Sequence, residues 1–76
     1  MNVIATTLQE VVFTGKAQSV ILPGERGVFE ILPFHKHLIS RLVKGQIHID
    51  GSTFSILRGI AKIEKNNVTI IMEISQ

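Results

Sequence analysis

The sequence predicts an all-β fold, a small flattened antiparallel β-sandwich or barrel of about nine to ten short strands. Turn-forming residues recur roughly every ten positions, and the segments between them alternate apolar and polar residues. Ile, Val, Thr and Phe, which favour strands, dominate those segments. With 76 residues the chain has room for one domain, which we expect to span residues 1–76.

Residue pairs that favour turns mark the expected ends of the strands. Asp50-Gly51 lies between two alternating runs and predicts a hairpin closed by a type I′ turn. Asn66-Asn67 is a second hairpin candidate. The other pairs that we interpret as turns are Thr14-Gly15, Pro23-Gly24, Arg26-Gly27, Lys44-Gly45 and Arg58-Gly59.

The runs between these turns read as strands. The last run alternates most clearly, because Val68, Ile70 and Met72 share one face and Ile71 lies on the other. Residues 36–43 also have the spacing of a short helical face, so a strand and a single helical turn both remain open there. We expect strands near residues 2–7, 11–13, 17–22, 28–32, 38–43, 45–50, 53–57, 60–65 and 68–74.

Composition limits the classes of protein that the chain can represent. The absence of cysteine excludes a disulfide framework and any Cys-based zinc site. The start of the chain lacks the features of a signal peptide, and its apolar runs fall far short of the roughly 20 residues that span a bilayer, so we expect a soluble, cytoplasmic protein. At 45% hydrophobic residues, a domain this small is expected to expose an apolar patch that a partner covers.

No arrangement in the sequence predicts catalysis or a cofactor. The segment from Pro23 to Gly27 lacks the Gly-Lys-Ser/Thr ending of a phosphate loop and precedes a strand. Asp50 is the only aspartate, and its expected turn explains it. The serines lie in strand-like segments without a nucleophile elbow. We therefore expect no catalytic residues and no bound cofactor.

Two further kinds of site are weighed and set aside. His35 and His37 could approach one metal ion, but His48 or Glu30 would have to supply further ligands, so we expect a surface or interface histidine pair and no metal site. The net charge of +2 comes from scattered basic residues interleaved with six acidic ones, and no Tyr or Trp is available for base stacking. A solvated surface is expected, with a basic OB-like nucleic-acid binder as the less favoured hypothesis.

An almost continuous apolar run is the remaining indication of function. It comprises Val28, Phe29, Ile31, Leu32 and Phe34 and is broken only by Glu30. A strand that is half exposed would not carry apolar residues at both parities, so both of its faces should be covered. Burial within the chain's own domain and coverage by a partner protein both remain open.

Short motifs occur in a characteristic order along nearly the whole chain, from about Val3 to Glu73. Together they resemble the N-terminal β-sandwich of the epsilon subunit of F-type ATP synthases. The motifs are Phe13-Thr14-Gly15, Leu22-Pro23-Gly24, Gly27, Ile31-Leu32-Pro33, His35, Leu38, Lys44-Gly45, Gly59, Ile63 and Asn67-Val68-Thr69-Ile70.

This resemblance implies a non-catalytic subunit of the rotary central stalk, linking the gamma subunit to the membrane c-ring and coupling ion translocation to ATP synthesis or hydrolysis. It implies a peripheral location at the cytoplasmic face of the bacterial inner membrane, with membrane contact only through the complex. The alternative is a free-standing β-sandwich adaptor with another partner. The implied c-ring interface is Arg26, Gly27, Val28, His35, Lys36 and His37, and the implied gamma interface is Thr7, His35 and Ser40.

The chain departs from the family pattern at several positions. Residues 34–37 replace a frequent Gly-His-Ala-Pro, Glu30 replaces a usual Gly, and Arg58-Gly59 replaces a Gly-Gly pair. Most family members continue into a C-terminal helical hairpin that can bind ATP and restrain hydrolysis, whereas this sequence stops at Gln76. The expectation is a subunit that couples rotation but does not inhibit hydrolysis by extending helices.

Overall fold

The computed structural model describes residues 1–74, which form eight β-strands. The all-β prediction is confirmed, with eight strands where nine to ten were expected. No helix in this part of the chain is long and apolar enough to cross a membrane. The strands are β1 (Asn2–Thr6), β2 (Val11–Lys16), β3 (Val20–Gly24), β4 (Gly27–Ile31), β5 (Leu38–Leu42), β6 (Gly45–Ile49), β7 (Ser52–Glu64) and β8 (Asn67–Ile74).

All eight strands belong to one hydrogen-bonded sheet that folds over on itself. The order is β2-β1-β8-β7-β5-β3-β4, and β6 pairs with β3 and β7. Every pair is antiparallel except β1 with β8, which is parallel. The first half of β7 pairs with β6 and its second half pairs with β5 and β8. The long strand β7 therefore connects the two layers of the sandwich.

The turn expected at Arg58-Gly59 is wrong, and this error accounts for the missing strand. The expected strands 53–57 and 60–65 are one strand, β7, with an irregularity in its pairing with β8 between Ile56 and Arg58. Gly59 serves close packing, because a Cβ at this position would lie 2.7 Å from the carbonyl oxygen of Ile71. Glycine here lets β8 approach the bent part of β7.

Three other turns lie at different positions from those expected. Thr14-Gly15 lies inside β2, and Pro23-Gly24 lies inside β3 with Glu25 and Arg26 forming the turn. The last hairpin turns one residue early, at Lys65-Asn66, and Lys65 has a φ of 57°. A lysine in the left-handed region gives no sequence signal, because Asn, Asp and Gly are the residues usually found there.

The Asp50-Gly51 hairpin is confirmed, but its turn is not type I′. Ile49 pairs with Ser52, so two residues close the loop. Asp50 has a φ of 50°, whereas Gly51 is not among the residues with positive φ. A type I′ turn requires positive φ at both positions. Asp50 has a second role, because its carboxylate accepts hydrogen bonds from the main-chain N–H groups of Gln18 (3.1 Å) and Ser19 (3.0 Å).

This carboxylate clamp explains why the expected strand 17–22 begins later, at Val20. The N–H groups of Gln18 and Ser19 bind Asp50 instead of a neighbouring strand. Ala17 is held by its N–H group, which donates to the carbonyl of Met1 (2.9 Å). Residues 38–42, for which a helical turn had remained open, form strand β5.

The core follows the alternation seen in the sequence. Val68, Ile70 and Met72 are buried, while Ile71 on the opposite face of β8 is exposed. The largest fully buried side chains are Val3, Val20, Leu22, Ile31, Ile47, Ile49, Ile56, Val68 and Ile70.

The apolar run in and after β4 is not buried within its own domain. Ile31 is fully buried and Phe29 is half-buried against the core. Val28, Leu32 and Phe34 are 73%, 52% and 83% exposed. Burial of the whole run within the chain's own domain is therefore wrong, and these three side chains remain available to a partner.

Candidate docking surface

The β3–β4 hairpin presents the first group of predicted interface residues. Arg26 lies in the two-residue turn, and Gly27 and Val28 begin β4; all three are exposed. Gly27 has a φ of 124°, a conformation that favours glycine. At the other side of the turn, Gly24 packs closely on Phe29, since a Cβ there would lie 2.7 Å from the ring. The hairpin tip is thus held in place while its outer residues face solvent.

The second group, His35, Lys36 and His37, lies in the loop between β4 and β5. Lys36 and His37 are exposed, and His35 is half-buried with its Nδ1 atom 2.7 Å from the carbonyl oxygen of Lys36. Phe34 has a φ of 65°, and its N–H group donates to Oδ1 of Asn66 (3.1 Å). The loop is therefore anchored to the turn between β7 and β8.

The six residues predicted to face one partner do not form one cluster. Arg26, Gly27 and Val28 lie at the start of β4, and the histidine loop begins after its end. Val28 lies three residues before the end of β4 at Ile31, roughly 10 Å along the strand, and His35 follows four residues later in the loop. The two groups flank the outer edge of β4, so a partner that contacts both would lie along that edge.

The predicted gamma-facing residues are also distributed. Thr7 lies in the β1–β2 turn, where its hydroxyl oxygen accepts hydrogen bonds from the N–H groups of Gln9 and Glu10, both at 3.2 Å. Ser40 is half-buried on β5, and its hydroxyl donates to the carbonyl of Arg41 (3.1 Å). Ser40 borders an open cleft of about 630 Å³ that the hairpin residues 24–29 also line. The structure thus brings Ser40 close to the first ring-facing group and leaves Thr7 apart from it.

Sequence reasoning missed a row of exposed isoleucines on the outer face of the sheet. Ile60 pairs directly with Ile71 on β8. Ile39 lies diagonally across from Ile60, because its partner on β7 is Lys62, and Ile4 lies diagonally across from Ile71, because its partner on β8 is Thr69. Directly paired and diagonal neighbours on one face are within reach of each other. We call Ile4, Ile39, Ile60 and Ile71 the isoleucine row; these side chains are 46–71% exposed.

A signal for this row was present in the sequence. Ile71 has the same parity as Thr69 and Glu73, so its exposure follows from the alternation of β8. The exposed position of Ile60 could not be predicted, because the turn wrongly expected at Gly59 interrupted the alternation of inward and outward residues along β7.

An open groove continues the apolar surface beyond the isoleucine row. It has a volume of about 630 Å³ and is bordered by Ile60, Ile71 and the almost fully exposed Leu8. Arg58 and Glu73 stand on its rim as an exposed ion pair with 3.7 Å between Nε and Oε2. An apolar floor beneath a charged rim is typical of protein interfaces.

The histidines do not form a metal site in the part of the chain described. His48 lies on β6 with its Nδ1 atom 3.3 Å from the hydroxyl of Thr53, and Glu30 accepts a hydrogen bond from the Ser19 hydroxyl (2.5 Å). Among residues 1–74 no group of three or more His, Asp or Glu side chains could hold a metal ion.

Comparison with known proteins places the chain in a family. A family model described as the ATP synthase delta/epsilon chain β-sandwich domain matches residues 1–75. The ATP synthase epsilon chains of Bordetella parapertussis and Delftia acidovorans are each 35% identical to this chain over 78 residues, which is 96% of this chain and 56% of each relative. The chain therefore spans just over half the length of these relatives.

Solved structures share the fold at lower identity. A chain in the Tetrahymena thermophila mitochondrial ATP synthase central stalk and c-ring aligns with a TM-score of 0.79 at 14% identity, covering 96% of this chain and 63% of that one. A chain in the Euglena gracilis mitochondrial ATP synthase aligns with a TM-score of 0.80 at 17% identity, covering 92% and 48%. The agreement of the family model, the sequence relatives and the fold shows that this chain belongs to the ATP synthase delta/epsilon chain family and corresponds to its β-sandwich domain.

Proposed function

We propose that the chain is a non-catalytic subunit of the central stalk of an F-type ATP synthase, where it links the gamma subunit to the membrane c-ring. In this role it couples ion translocation to ATP synthesis or hydrolysis. The observation that carries the proposal is the exposed isoleucine row on the outer sheet face of a chain from this family. A row of this kind is expected on a protein that remains docked to a partner.

The exposed apolar area is sufficient to matter for docking. Full burial of an isoleucine contributes about 1.5–3 kcal/mol. The four side chains of the isoleucine row are about half exposed, so covering them contributes on the order of 4 kcal/mol before the costs of association. Leu8 and the adjoining groove extend the same surface.

The two partners would use different surfaces. The isoleucine row would face gamma, and Thr7 and Ser40 would contact gamma from outside the row. The outer edge of β4, with Arg26–Val28 before it and His35–His37 after it, would face the ring, with His35 reaching gamma as well. Arg26 and Lys36 would pair with acidic or carbonyl groups of the ring loops, which sets orientation more than affinity.

The polar side chains support a structural role over a catalytic one. Asp50 and Thr7 close turns by accepting main-chain hydrogen bonds, and Asn66 anchors the histidine loop. Such contacts hold a scaffold and leave these groups occupied. We place the subunit at the cytoplasmic face of a bacterial inner membrane, in contact with the membrane only through the assembled complex.

Co-purification with a gamma subunit tests the proposal. A tag belongs at the C-terminal end, because the amino group of Met1 is buried and donates to the carbonyl of Ala17 (3.0 Å). We expect the tagged chain to retain gamma and the ring, and Ile60→Asp to lose gamma while remaining folded. Ser55→Asp, which places the same charge on the exposed face of the other half of β7, should retain gamma.

Two results would contradict the proposal. One is a wild-type chain that purifies alone from gently solubilised membranes. The other is equal retention of gamma by Ile60→Asp and Ser55→Asp, because the isoleucine row would then not be the docking surface.

A further inference from the structure

Strand β4 is a free edge of the sheet. The strand order ends at β4, and of the strands in residues 1–74 β3 alone pairs with it. Within residues 1–74 no other strand has a Cα atom within 8 Å of β4. Neighbouring strands lie about 4.8 Å apart, so none of the other described strands pairs along this edge.

The pairing with β3 determines which main-chain groups face outward. Gly24 and Gly27 close a two-residue hairpin, which makes them a hydrogen-bonded pair. Hydrogen-bonded and non-hydrogen-bonded pairs alternate along an antiparallel ladder. Pro23, opposite Val28, has no N–H group and gives its carbonyl to the N–H group of Val43 (2.9 Å) on the other side. The N–H and C=O groups of Val28 and Glu30 therefore point away from β3.

This edge lacks the features by which proteins usually prevent edge pairing. The other terminal strand, β2, has a register irregularity opposite Ala5 and Thr6 and a terminal lysine, Lys16. Irregularities and lysines discourage the addition of a further strand. In β4, Glu30 is the only charged residue, and no irregularity interrupts its pairing with β3.

The side chains around the edge indicate the chemistry of an incoming segment. Val28, Leu32 and Phe34 are exposed along the edge and just beyond it. Arg26 precedes β4 in the hairpin turn and Lys36 follows it in the loop to β5, and neither forms an ion pair among the described residues. An extended segment with alternating apolar residues and acidic residues at both ends would complement this surface.

We propose that the β4 edge binds a partner by β-augmentation, accepting an extended, apolar segment with acidic flanks through the main-chain groups of Val28 and Glu30. The inference deepens the proposed function and rests on it only for the identity of the partner, which would be the ring subunit. Main-chain pairing gives affinity in this mode, and the flanking charges set the register.

A synthetic peptide tests the edge without any stalk protein. The probe is acetyl-Glu-Val-Thr-Val-Thr-Val-Glu-amide, titrated into the isotopically labelled chain. We expect the amide protons of Val28 and Glu30 to exchange with solvent about tenfold more slowly at saturation, since each gains a hydrogen bond and a tenfold change corresponds to about 1.4 kcal/mol. The amide of Phe29, whose hydrogen bonds go to Leu22, should not change.

Matched variants distinguish pairing at the β4 edge from nonspecific binding of the peptide. Val28→Pro removes an outward N–H group without removing a hydrogen bond to β3, and it should weaken binding of the peptide about tenfold. Val28→Thr keeps the N–H group and should still bind the peptide. A peptide N-methylated on one edge should not bind the unmodified chain, which keeps the test valid if Val28→Pro fails to fold. Arg26→Glu should weaken binding of the acidic peptide. Lys16→Glu, which makes the same charge change on β2, should leave binding unchanged.

Three outcomes would overturn the inference. They are unchanged exchange at Val28 and Glu30 with millimolar peptide, equal binding of the N-methylated peptide, and protection that appears without peptide and grows with protein concentration. The last result would show that a second copy of the chain occupies the edge. None of them removes the stalk proposal, because co-purification with gamma depends on the isoleucine row.

Discussion

Gly59→Ala should destabilise the fold, because this glycine is where two strands approach most closely. An alanine Cβ would lie 2.7 Å from the carbonyl oxygen of Ile71 and 3.2 Å from the Cα atom of Met72. Both atoms belong to the backbone of β8, which cannot rotate away as a side chain would. Overpacking of this kind costs about 1–3 kcal/mol. A domain of 76 residues has a free energy of unfolding of only about 4–11 kcal/mol, so the loss is a large fraction of the total.

Chemical and thermal denaturation measure this loss. In a domain of this size 1 kcal/mol corresponds to about 4–8 °C in Tm, so we expect Gly59→Ala to melt roughly 5–20 °C lower than the wild type. Gly51→Ala is the matched control. Its Cβ would meet no atom within 4 Å, and we expect its unfolding free energy to change by less than about 0.5 kcal/mol.

The same substitution should also affect docking, since Gly59 allows Ile60 and Ile71 to lie side by side on the isoleucine row. Gly59→Ala stability within about 0.5 kcal/mol of the wild type would refute the close-packing explanation of the bend in β7. An equal loss for Gly51→Ala would refute it as well, because general sensitivity to lost glycine flexibility would then explain both results.

Three further substitutions test local contacts. Asp50→Ala should lower the unfolding free energy by about 1 kcal/mol in urea titrations, and Asp50→Asn by less, because the carboxylate accepts two main-chain hydrogen bonds. Asn66→Ala should make the amide of Phe34 exchange several-fold faster by hydrogen-exchange NMR; an unchanged rate would mean that the loop is held otherwise. Arg58→Ala should change stability by less than about 0.5 kcal/mol, because its ion pair with Glu73 is exposed.

Alternation allowed the sheet and its core to be predicted from sequence. The buried residues of β8 were assigned correctly because Val68, Ile70 and Met72 differ from their neighbours at every second position. Strand β7 was divided in error because Gly59 is a residue type that serves both turns and close approaches. Only the approach of the Ile71 carbonyl oxygen on β8 distinguishes these uses, and that contact depends on the register of the β7–β8 hairpin.

The candidate site was predictable only in part, for similar reasons. The exposed apolar side chains around β4 were identified as a group, but the six residues predicted to face the ring lie at the start of that strand and beyond its end. The isoleucine row is assembled from four different strands, and no local pattern connects Ile39 with Ile4. Register and strand order create this surface, and both depend on the tertiary fold.

The most direct test of the stalk proposal is ATP-driven ion pumping by membranes depleted of this chain. We expect ATP hydrolysis to continue without pumping, and pumping to return when the purified wild-type chain is added back. The Ile60→Asp chain should restore much less pumping, whereas the Ser55→Asp chain should restore pumping fully. Pumping that is unchanged by depletion would contradict the proposal that this chain connects the rotating shaft to the ring.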